Sequence, residues 1–167
     1  MLVAWGALCL LGALTAGGFA WYQVGPGNRT KENTATVRDV RFVLNHCELG
    51  EARSEKVLHS YVSPRSFTGD HLDAYAIKIT HLEPGEPGRI GDMGWYRGDQ
   101  LPKNVEDALV FAGGLLHRVA WFPTNLRSEE YYVYSWSTYF HGTRVGAAQL
   151  IFLRPADNMV FYFSGKT

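Results

Sequence analysis

Residues 130–163, EYYVYSWSTYFHGTRVGAAQLIFLRPADNMVFYF, decide how this chain folds. Three β-rich runs, 130–140, 145–153 and 159–163, are separated by His141-Gly142-Thr143-Arg144 and Pro155-Ala156-Asp157-Asn158. Both separators carry turn residues, so the runs predict a three-stranded antiparallel meander. Successive side chains on a strand point to opposite faces. Tyr132, Tyr134, Trp136 and Phe140 therefore share one face of the first run, while Tyr131, Val133 and Tyr139 lie on the other. A half-buried strand needs only one such face, so this one predicts cover on both sides, from the domain's own helix or from another subunit.

Working outward, residues 104–112 predict a helix with Asn104 as N-cap. Glu106 and Asp107 suit its positive first turn, and Val105, Ala108, Leu109 and Ala112 form its apolar stripe. Gly113-Gly114 predicts its end, followed by a strand over 115–122, with continuation of the helix as the alternative. Residues 72–80 predict a strand with Tyr75, Ile77 and Ile79 on one face. Good helix formers over 51–60 predict a short helix stopped before Pro64. Residues 37–46 fit both periods: Val40, Phe42 and Leu44 alternate as in a strand, while Val37, Val40 and Leu44 suit a helix. The strand is favoured. A Gly/Pro-rich loop spans 83–102. Together these elements predict an α+β domain over residues 37–167, with one or two helices on a mainly antiparallel sheet.

The N-terminal segment has a different character. Residues 1–27 carry no charge, and the first charged residue is Arg29. Residues 2–24 are long enough for a single transmembrane helix, since about 20 apolar residues cross a hydrocarbon core of ~30 Å. Trp5 at one end and Trp21-Tyr22 at the other match interfacial anchors. No basic residue precedes the segment, whereas Arg29, Lys31, Arg38 and Arg41 follow it. The Lys/Arg bias thus predicts a single-pass membrane protein with its N-terminus outside and its domain cytoplasmic. A cleaved signal, or a domain on the extracytoplasmic side, is the alternative. Gly12-x-x-x-Ala16 and Ala13-x-x-x-Gly17 offer a face on which another membrane helix can pack closely. Residues 28–36 form a polar tether, and the Asn28-Arg29-Thr30 sequon lies too near the expected membrane boundary to be used.

Composition narrows the function. The chain has 16 basic and 16 acidic residues and no basic stripe, which argues against nucleic acid. Cys47 is the only cysteine beyond the N-terminal segment, so the domain holds no intrachain disulfide. Gly85, Gly88, Gly91 and Gly94 recur at threes, without the strand–helix context of a dinucleotide fingerprint. Gly165-Lys166-Thr167 resembles the end of a phosphate loop, but Val160 holds the required first glycine position and no helix follows; nucleotide is not expected. His46, His59, His71, His81, His117 and His141 form no zinc motif. Asp70-His71-x-Asp73 is the nearest approach to a metal site, and no metal or other cofactor is predicted. Cys47 with His59, or Ser137 with His141, are arbitrary nucleophile pairs, and no catalytic residue stands out.

Met93, Trp95, Tyr96 and Arg97 in the long loop, with Tyr132, Tyr134 and Trp136 on the first C-terminal run, have the composition of an interface. The functional expectation is a non-catalytic accessory subunit of a larger membrane complex, in contact with other membrane subunits and with lipid. Its anchor-plus-cap layout is similar to that of accessory subunits of photosynthetic reaction-centre, antenna and respiratory complexes. A tethered ligand-binding or sensor domain is the first alternative, and a small anchored hydrolase the second.

Overall fold

The computed structural model describes residues 11–21, 25, 28–82 and 86–167. A helix over residues 11–21 (α1) precedes β1 (Lys31–Glu32), α2 (Val37–His46), β2 (Ser54–Val62) and β3 (His71–Ile79). There follow α3 (Glu86–Asp92), β4 (Tyr96–Arg97), α4 (Lys103–Leu116), β5 (Tyr132–His141), β6 (Arg144–Arg154) and β7 (Met159–Lys166). The seven strands form one sheet in the order β1-β2-β3-β7-β6-β5-β4, and every pairing is antiparallel. The meander β5-β6-β7 supplies three of the seven strands. The β2-β3 hairpin joins through β3, which pairs with β7 from His71↔Lys166 to Lys78↔Met159.

The expected transmembrane helix is overturned. Among the described residues, no helix is long and apolar enough to cross a membrane. The described part of that segment, residues 11–21, rises only about 16 Å, roughly half of a ~30 Å hydrocarbon core. The single-pass topology and the assignment of the domain to the cytoplasmic face both rested on that span and go with it. Trp5 and Tyr22, named as interfacial anchors, lie outside the described residues.

The sheet is covered on both faces by this chain's own helices. Val105, Ala108, Leu109, Ala112 and Leu116 of α4 pack with Ala74, Ala76, Leu150, Phe152, Phe161 and Phe163. Val40, Val43 and Leu44 of α2, with Ile90 of α3, pack on Tyr75, Ile77, Ile151, Leu153, Val160 and Tyr162. Residues of β3, β6 and β7 therefore alternate between two apolar cores, which is why those strands are apolar at successive positions.

Four local expectations fail for identifiable reasons. Residues 37–46 are helical, because Val40, Val43 and Leu44 fall on one helical face and Asp39 caps the start. The Asp39 carboxylate accepts from the Thr36 backbone N–H and hydroxyl, each at 2.7 Å. Residues 51–60 form only a 3-10 turn (Glu51–Arg53) before β2, because pairing with β3 overrides helix propensity. Helix α4 is capped from Pro102 rather than Asn104, and runs through Gly113-Gly114 because Leu116 continues its buried stripe. Residues 115–122 hold the end of α4 and turns instead of a strand. The long loop contains α3 and β4, and Gly98 pins it: a Cβ there would stand 2.4 Å from the Leu126 carbonyl oxygen.

Candidate functional site

Five rings cross the α2 face of the sheet in sequence. Tyr75 stacks on Tyr162 at 5.7 Å, Tyr162 meets Phe42 edge-on at 5.4 Å, and Phe42 meets His46 at 5.4 Å. His46 lies flat on Trp136, 4.0 Å between centroids and 5° between planes. Trp136 sits at an irregularity in β5, where Ser135 pairs with Leu150 and Ser137 with Gln149, leaving Trp136 with no partner across the ladder. The inner rings are buried, but Phe42, Trp136, Tyr139 and Phe140 remain exposed, Tyr139 by 65%. The other two candidates on this strand, Tyr132 and Tyr134, are half-buried against the α2-side core.

Burial holds the His46 imidazole below its ordinary value of 6.5, and its Nδ1 has no hydrogen-bond partner among the described residues. The unfolded chain takes up a proton at that ordinary value while the folded chain resists it. Stability is therefore unaffected above 6.5 and falls as the pH drops below it. Urea midpoints at about pH 7.5 and about pH 5.5 should differ less in His46→Phe than in the natural chain. An unchanged difference would show that other groups set the acid sensitivity.

The loop candidates separate. Trp95 is 3% exposed and packs on Tyr134 at 5.4 Å; Met93 is half-buried against the same core. Tyr96 is 41% exposed. Arg97 pairs with Asp99 at 2.7 Å and more distantly with Glu129 at 3.4 Å. Of the four, Tyr96 and Arg97 therefore face outward.

Helix α1 presents its small residues without using them. Gly12, Ala13, Ala16 and Gly17 are all exposed, and no atom of the described residues lies within 4 Å of a Cβ built on Gly12 or Gly17. The larger residues are equally uncovered: Leu11 66%, Leu14 68%, Phe19 48% and Trp21 70% exposed. One ring contact, Phe19 to Phe67 at 5.0 Å, joins this helix to the loop after β2.

The nucleophile candidates fare differently. Cys47 is fully buried, and burial pushes its thiol up to about 12, so it stays protonated and unreactive at neutral pH. His59 stacks on Trp121 beside the α4-side core, so the sheet separates it from Cys47. Ser137 and His141 are both solvent-exposed near the open end of β5. The Asp70-His71-x-Asp73 cluster is dispersed among other partners. Asp70 accepts from Thr68, whereas Asp73 pairs with Arg65 at 2.5 Å. Among the described residues, no group of three metal-ligating side chains forms.

One pair escaped the sequence reading. His71 and Ser164, on neighbouring strands β3 and β7, approach to 3.0 Å between Nε2 and Oγ. His71 Nδ1 lies 2.8 Å from the Gly69 carbonyl, which can only accept, so neutral His71 carries its proton on Nδ1 and accepts from Ser164 through Nε2. That is the polarity of a serine–base pair. Ser164, however, is only 5% exposed. The geometry therefore fastens the end of the sheet rather than presenting a nucleophile. Residues 93 positions apart leave no local sequence signal for such a pair.

No family model matches this chain, and neither does any curated protein or solved structure.

Proposed function

We propose that this chain is a non-catalytic subunit of a larger protein assembly, held to its partner by α1. The observation that carries this reading is an eleven-residue helical stretch, LGALTAGGFAW, with no charged residue and all of its side chains exposed. Large exposed apolar surfaces in folded proteins mark sites that another body covers. Gly12, Ala13, Ala16 and Gly17 suit close approach of a partner helix, and Leu14 and Trp21 supply apolar area. The exposed aromatics Phe42, Trp136 and Tyr139 extend the available contact surface on the domain itself.

The reading is tested by comparing proteins that co-purify with the tagged full chain and with Leu14→Glu. A charge on the exposed helix should release a defined partner while leaving the urea midpoint of the domain unchanged, because Leu14 is 68% exposed among the described residues. Retention of the same partners by Leu14→Glu and by Trp21→Glu would count against α1 as the attachment.

A further inference from the structure

A cavity of about 510 Å³ opens beside the C-terminal half of α4. Its wall is apolar: Val110, Gly113, Leu116, Phe122 and Leu126 contribute, and Val110 is left 63% exposed. The polar members of the lining include His117 and Arg127, and no acidic side chain lines it. Neither His117 nor Arg127 has an ion-pair partner among the described residues. A concave apolar wall with a few polar groups at one end is the usual form of a small-molecule site. The volume falls within the ~300–1,000 Å³ of small-molecule pockets.

Gly113 lies in the helix wall of this cavity. A glycine inside a helix is unfavourable relative to alanine. Here no atom lies within 4 Å of the position its Cβ would take, so packing does not require the residue. Its effect is to keep the helix wall of the cavity open.

We infer that this cavity binds a monocarboxylate amphiphile of fatty-acid type, with the chain against α4 and the carboxylate on Arg127. Arg127 receives the head group because the C-terminal end of a helix disfavours an anion, while a guanidinium binds a carboxylate with charge-assisted hydrogen bonds. The site is independent of the assembly proposed above, since it lies on the domain and not on α1.

The test is calorimetric titration of the full chain with laurate, dodecanol and dodecyltrimethylammonium, each below its micellar concentration. Laurate should bind saturably, dodecanol more weakly, and the cation least. Arg127→Gln should weaken laurate by about tenfold or more and leave dodecanol nearly unchanged. Gly113→Leu should abolish binding of both. It should also raise the melting temperature by about 2–4 °C, because leucine favours the helix, which separates a filled cavity from a damaged fold. Equal uptake of all three probes, or laurate binding that survives Gly113→Leu, would overturn the inference. A dimer of this chain that Gly113→Leu disperses, with no laurate uptake, would overturn it too by making a second copy the occupant.

Discussion

Trp95→Ala is expected to lower the unfolding free energy by about 3–5 kcal/mol, the range for removing a large aromatic side chain from a core. Trp95 is 3% exposed and lies in the core between α2, α3 and the sheet, against Tyr134. Its loss leaves a cavity where α3 and β4 meet the sheet. Those two elements are short, seven and two residues, and are held besides by the buried Ile90, the Arg53–Glu86 ion pair and the pairing of β4 with β5. Against a typical total of about 5–15 kcal/mol, this is a large fraction. Urea unfolding of the isolated chain measures it. The neighbouring Tyr96→Ala, at an exposed position, should change stability by no more than about 0.5 kcal/mol. An unchanged midpoint for Trp95→Ala, with a defect only in assembly, would return Trp95 to the role of a contact residue.

The second large effect concerns the ion pair between Arg65 and Asp73. Asp73 is 9% exposed, and its Oδ1 has no hydrogen-bond partner, so the contact to Arg65 at 2.5 Å is the main compensation for burying its charge. Arg65→Met strands that carboxylate inside the sheet. The cost for breaking a buried pair is about 3–5 kcal/mol. The Arg65 side chain is 37% exposed, so water reaches the pair and the expected loss is nearer about 2–3 kcal/mol. Replacing both partners with apolar residues, as in Arg65→Met with Asp73→Leu, should cost less than Arg65→Met alone, because no buried charge remains. A double variant less stable than either single one would show that the pair contributes more than its desolvation costs.

The parts of the fold that were legible are those in which local pattern and tertiary need agree. The meander could be read because β-rich runs alternate with turn residues, and α4 because Val105, Ala108, Leu109 and Ala112 keep helical spacing. Residues 37–46 were ambiguous in hydrophobic period alone; the deciding signal was Thr36-x-x-Asp39, a polar capping pattern that hydrophobic period does not register. Residues 51–60 could not be placed locally, because their strand state comes from β3, a partner later in the chain. Continuation of α4 through Gly113-Gly114 depends in the same way on the core that receives Leu116.

The candidate site was less legible, and the reason is physical. A buried tryptophan and an interface tryptophan have the same composition and neighbours, so Trp95 and Trp136 cannot be ranked until burial is known. The aromatic residues on both faces of β5 did signal cover on two sides. That cover comes from α2 and α4 of this chain, leaving only the outer part of the strand, with Trp136, Tyr139 and Phe140, open. The N-terminal segment misled in a different way. An uncharged sequence of that length suits a span, whereas among the described residues the helix is short and its side chains are exposed. In the function proposed above, the same residues serve a protein partner.

That partner can be sought directly by native mass measurement of the full-length chain extracted gently from its source. An assembly subunit should appear in a particle of defined stoichiometry containing at least one other polypeptide. Leu14→Glu should release it as a folded species with the mass of one chain. A natural chain found only as a stable monomer, or only in multiples of its own mass, would contradict the account.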